Sequence, residues 1–322
     1  MNGTQPTLHP GVRRLATLTC VVALLPIGLG SLVTTMKAGM AFADWPSSDG
    51  QNMLLYPWFR DFRTNPEKFV EHGHRLAGVL IGCVAIALAV AGWRAGSGWI
   101  RRYAVGILIA VICQGLLGGA RVLMDAQVMA MTHSLTGALF FAACVLFRML
   151  LMPSWDTWLR FTDDRAGVTA FAGAAVFPLL VIAQYSLGGA LRHLHLLRTE
   201  HAVGAVVVLL AGGTIAARLL MVTHPLLRAC GVLIATSLTL QFALGLGAMM
   251  ARFGLKDIGY VAVVGSPEQA VVCSLHTVVG MFLFASACIT SLAVCRLYSA
   301  GCLLSVSAEL RGSFSPAGGR SV

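Results

Sequence analysis

Charge is scarce in this chain. Only 11% of its 322 residues are Asp, Glu, Lys or Arg, and only 13 are acidic. An ordinary soluble domain carries about 25% charged residues, so a solvated globular domain is excluded. Cysteine motifs are missing as well. There is no C-x-x-C and no C-x-x-C-H, which excludes a zinc knuckle and a thioether-linked haem. The nine cysteines sit almost entirely inside apolar runs, where cysteine behaves as a small hydrophobe. No G-x-x-x-x-G-K-[ST] loop occurs, which argues against an ATP-driven transporter. The first apolar run, at more than 20 residues, is longer than the 7–15-residue apolar region of a signal peptide, so it reads as a spanning helix although an A-x-A triplet (Ala41-Phe42-Ala43) follows it.

What is present is apolar sequence, at 57% of residues. It falls into eight runs of about 20–25 residues, each able to cross a hydrocarbon core of about 30 Å. They cover approximately 15–36, 70–93, 102–123, 128–151, 166–190, 200–221, 227–250 and 270–296. Backbone groups cannot go unpaired in lipid, so the runs are helices. The fold expected is all-α, a polytopic membrane protein of eight helices in two pseudo-symmetric four-helix bundles. The net charge of +10 lies between the runs, which points to membrane orientation and not to nucleic acid. One side collects 13 basic and 4 acidic residues, the other 10 and 9. The first side, with both termini, is expected to be cytoplasmic, and the 37–69 loop external.

An internal repeat underlies the two bundles. Gln114–Val122 (QGLLGGARV) resembles Gln184–Arg192 (QYSLGGALR), and Gln241–Met249 (QFALGLGAM) is a weaker copy. A histidine follows each, at His133, His201 and His276, and His74 holds the same place after the first run. All four lie in the first turns of even-numbered spans, at one depth near the external face. Ionisable groups inside a membrane are costly and usually functional. Two facing imidazoles are a usual way to hold haem iron in a helical bundle. Gly78, Gly137 and Gly280 fall four residues after a histidine and Gly204 three, about one helical turn on, where a missing side chain leaves room for a flat macrocycle.

The first histidine differs from the others. In Lys68–Gly82 (KFVEHGHRLAGVLIG), Glu71 and His74 are i and i+3 and share a helical face. His72 points roughly opposite and reads as interfacial. Arg75 is placed to pair with Glu71 or to reach a haem propionate. Ala130, Arg198 and Cys273 stand where the other three histidines would need a carboxylate. That asymmetry suggests a reaction site in the N-terminal half and an electron-transfer haem in the C-terminal half.

Thr34–Pro46 (TTMKAGMAFADWP), EHGHR at Glu71–Arg75, QGLLGG before His133, LGGALRH before His201 and LHTVVG around His276 together resemble the haem A synthase family. The resemblance covers about residues 15–298. It implies an oxidoreductase that converts the C8 methyl of haem O to a formyl group, making haem A for terminal oxidases. It implies His201 and His276 as ligands of a retained haem b, His74 and His133 as ligands of the substrate haem, and Glu71 as the catalytic carboxylate. The expected partners are haem O, a haem O synthase, membrane lipid and an electron acceptor or donor of unassigned identity, with a homo-oligomer left open and no nucleic acid. Many members carry a cysteine pair after the D-W-P; here Ser47 and Ser48 stand there, so a thiol role for that loop is not carried over. The organisation expected is a cytoplasmic tail (1–14), a substrate-haem half (15–151), a cytoplasmic linker (152–165), a haem b half (166–298) and a second cytoplasmic tail (299–322), in the plasma membrane. A dihaem b-type quinol oxidoreductase and a non-enzymatic haem carrier are the alternatives.

Overall fold

A computed structural model describes residues 10–95, 97–152, 168–255 and 259–313, with side chains from 172 in the third segment and to 297 in the last. Eight long helices account for most of it: α1 Pro10–Thr35, α2 Pro66–Arg94, α3 Gly98–Met124, α4 Gln127–Leu150, α5 Val168–His193, α6 Arg198–Met221, α7 Pro225–Phe253 and α8 Pro267–Ser313. All eight contain a stretch long and apolar enough to cross a membrane. Large apolar side chains such as Leu80, Ile109, Ile112, Val206 and Leu210 face outward, as lipid contact requires.

The helices close into two rings. α1 packs on α2, α2 on α3, α3 on α4 and α4 back on α1; α5 to α8 repeat the cycle. Between the rings, α4 packs on α8, α1 on α8 and α5 on α4. Exchanging the two halves maps the first contact on itself and swaps the other two, as a two-fold pseudo-axis beside α4 and α8 demands. Phe141 of α4 meets Phe282 of α8 edge to face at 5.1 Å on that seam.

The helix ends differ from those expected. α2 begins four residues early, because Asn65 caps it by accepting the Lys68 N–H at 3.3 Å and Pro66 takes the first position. α8 continues to Ser313, into the stretch expected to be a loose tail. The expected linker falls mostly on residues 153–167, outside those described.

Candidate functional site

The four histidines come together in two pairs, each across the diagonal of one ring. His74 (α2) and His133 (α4) have ring centroids 6.2 Å apart with planes at 83°. His201 (α6) and His276 (α8) are 6.4 Å apart with planes at 86°. Neither spacing allows a direct hydrogen bond. Two metal–imidazole bonds of about 2 Å each, plus half of each ring, give about 6 Å, so one metal ion fits between the members of a pair. Among the described residues no three His, Cys, Asp or Glu side chains gather to hold a bare ion. Two nitrogens per site suit a metal that arrives with its remaining ligands in a macrocycle.

Each ring lies against a glycine of the preceding helix. A Cβ built on Gly30, Gly118, Gly188 or Gly245 would stand 2.8, 3.4, 2.9 or 3.1 Å from Cε1 of His74, His133, His201 or His276. Side chains at these four positions would push into the imidazoles. The polar partners come from the same preceding helices. His74 Nδ1 donates to the carbonyl of Pro26 at 2.9 Å. Gln184 Nε2 lies 3.1 Å from His201 Nδ1 and donates to the His201 carbonyl at 2.8 Å. Gln241 Nε2 lies 3.4 Å from His276 Nε2.

The glycines that follow the histidines have another use than the sequence suggested. Gln184 packs into the space over Gly204, Gln241 Nε2 lies 3.2 Å from a Cβ at Gly280, and Gln114 Oε1 lies 3.9 Å from one at Gly137. Three of the four glycines therefore accommodate a glutamine, and only Gly78 faces open space. These glutamines were the residues that sequence reasoning missed. Their signal was present, since each stands four residues before the glycine its histidine packs on.

Glu71 is buried, with 3% of its surface exposed. Its Oε2 accepts the Ala41 N–H at 2.8 Å and the Phe42 N–H at 3.2 Å, and its Oε1 accepts from Arg75 at 2.7 Å. Arg75 also donates to the Asp44 carbonyl at 2.9 Å and the Ser47 carbonyl at 2.7 Å. The pair is thus an internal one, with side chains 4% and 6% exposed, and it anchors the 36–65 loop. This arrangement engages Arg75 with Glu71 and the loop.

His72 is not interfacial. It is 1% exposed, bonded through Nδ1 to Ser48 Oγ at 3.1 Å and enclosed by Phe42, Tyr56 and Trp58. The loop folds back over the start of α2, which buries the face that helical periodicity alone assigns to solvent. Trp58 stacks on Phe69 at 4.7 Å, and Trp45 packs on Gly119 of α3. The loop motif and the G-G motif of the repeat are therefore two sides of one contact.

Residues 2–145 match the family model of a cytochrome oxidase assembly protein, COX15-CtaA. Curated relatives include the Heme A synthase of Shouchella clausii, 33% identical over 147 residues, which are 44% of this chain and 46% of that protein. The Heme A synthase of Mesorhizobium japonicum is 33% identical over 138 residues, 40% of this chain and 38% of the relative. That of Brucella ovis is 30% identical over 142 residues, 42% and 38%. The matched stretches thus span less than half the length of these relatives.

Proposed function

We propose that the chain is a haem A synthase of the COX15-CtaA cytochrome oxidase assembly family, whose model its residues 2–145 match. The observation that carries the reading is the pair of facing histidine pairs, of which, among the described residues, only the first has a buried carboxylate on its helix. His201 and His276 hold a resident haem b, and His74 and His133 hold haem O. The halves divide near residues 151 and 166. The haem b supplies one-electron exchange when bound.

Haem O is the substrate. Converting its C8 methyl to a hydroxymethyl and then to a formyl group removes two electrons and two protons at each stage when water is the oxygen source. Glu71 is the group on hand for that proton traffic. Two backbone N–H groups and Arg75 fix its oxygens before substrate arrives, and the 36–65 loop that supplies those N–H groups covers the start of α2 and keeps water from it. The greater positive charge on the terminal side supports cytoplasmic termini in a plasma-membrane protein.

A second reading follows from the same hydrogen bonds: Glu71 acts only as the anchor of the loop. Glu71→Gln separates the two. The amide keeps one acceptor for the Ala41 and Phe42 N–H groups and loses the charge. On co-expression with a haem O synthase, the variant should retain haem b near wild-type content while haem A falls by about 10²–10⁴-fold, the usual contribution of a general acid–base group, and haem O or its hydroxylated form accumulates. Normal haem A output from a stably inserted variant would leave Glu71 as an anchor.

A further inference from the structure

We propose that Gln184 and Gln241 are positioning residues, whose amide oxygens accept the ring N–H of His201 and His276 and so fix which imidazole nitrogen faces the metal. The inference rests on the haem reading above and adds to it the residues behind the ligands.

Six buried side-chain polar atoms lack a hydrogen-bond partner among the described residues, and four belong to these sites: Gln184 Oε1, Gln241 Oε1, His276 Nδ1 and His133 Nδ1. Leaving such an atom unpaired in a low-dielectric interior is unfavourable. Two orphaned acceptors on glutamines beside histidine rings are a matched set, because a metal-bound neutral imidazole presents one N–H to be accepted. In the arrangement shown, Gln184 turns its NH₂ toward His201 Nδ1 at 3.1 Å, which makes Nδ1 the acceptor and puts the ring proton on Nε2. Exchanging the amide O and N, atoms of nearly equal size, gives Nδ1–H an acceptor and frees Nε2 as a ligand. Because Gln184 Nε2 now donates to the His201 carbonyl at 2.8 Å, the amide must also swing away from that carbonyl, where its oxygen would meet a second acceptor.

Gln184 stands at Nδ1 of its histidine and Gln241 at Nε2 of its own. Gln184 is held over Gly204 and Gln241 over Gly280, one turn beyond the histidines they serve. The N-terminal half builds the same contact for His74 from a backbone carbonyl, that of Pro26, which can only accept and already fixes Nδ1–H. Hydrogen bonding behind a ligand raises its basicity, and its removal typically costs 10–100-fold in metal affinity.

The test uses the full-length protein purified in detergent with its own haem. Gln184→Leu should weaken haem b retention 10–100-fold and raise the midpoint potential of what remains, by making the imidazole a poorer donor. Gln184→Glu, a stronger acceptor, should retain haem b and lower the potential. Wild-type retention and potential in both variants would overturn the inference. Should Gln184→Leu fail to reach the membrane, the sign of the shift in Gln184→Glu decides alone. The underlying ligation is read separately: a His201→Ala, His276→Ala double variant that kept its low-spin spectrum would remove the haem reading itself.

Discussion

At the scale of single residues, what matters most here is where side chains are missing. Gly30, Gly118, Gly188 and Gly245 are placed so that an imidazole edge occupies the space of an absent Cβ. Gly188→Ala should therefore be felt at His201, since the new methyl would stand 2.9 Å from Cε1. The ring must shift by a few tenths of an ångström, and its hold on a metal should weaken. Gly78→Ala meets nothing within 4 Å and should be silent. Absorption spectra of the two purified variants make the comparison: a broadened or diminished low-spin signal is expected for Gly188→Ala and a wild-type signal for Gly78→Ala.

At the scale of elements, the 36–65 loop is as specified as a long helix, although its regular structure is confined to the short helical turns Trp58–Arg60 and Asp61–Thr64. Asp44 organises its central turn, accepting the Asp49 N–H at 3.0 Å and the Gly50 N–H at 2.8 Å. Partial burial pushes the Asp44 carboxyl up, but the Ser47 hydroxyl and these N–H groups outweigh it and hold the group below its ordinary value. A depressed carboxylate contributes stability that is present above its unfolded pKa and lost as pH falls through the folded one. Acidification below the ordinary Asp range, about 3.9, should therefore speed amide exchange at Asp49 and Gly50 before it affects α2. Exchange rates independent of pH-corrected chemistry across that window would show that Asp44 does not hold the turn.

The helices were legible in the sequence because lipid demands long apolar runs. Their polar ends were less so, since the Asn65 cap and the far end of α8 lie where hydropathy carries no signal. The four histidines were legible through the repeat. The burial of His72 was not, because a loop distant in sequence decides it. The glutamines were overlooked because their spacing is set by the preceding helix and not by the histidine-bearing one.

At the scale of the whole molecule, a single arginine ties one half to the other. Arg192 of α5 donates to the Ser31 carbonyl at 2.5 Å, to Thr35 Oγ1 at 2.7 Å, to Ser31 Oγ at 3.2 Å and to Thr277 Oγ1. It thereby joins α1 of the first ring to α5 and α8 of the second. Arg192→Leu should lower the thermal unfolding midpoint of the detergent-solubilised protein through the loss of at least one charge-assisted bond, about 1.5–3 kcal/mol. An unchanged midpoint would mean that the other contacts between the rings hold the halves together without it. The two rings are nonetheless unequal in one respect. Gln184 and Gln241 fill the turns above His201 and His276, whereas Pro26 leaves the turn at Gly78 open beside His74. On the reading above, the difference is one of residence time. The resident cofactor would be latched at both of its ligands, and the substrate, which must leave after every turnover, at His133 alone.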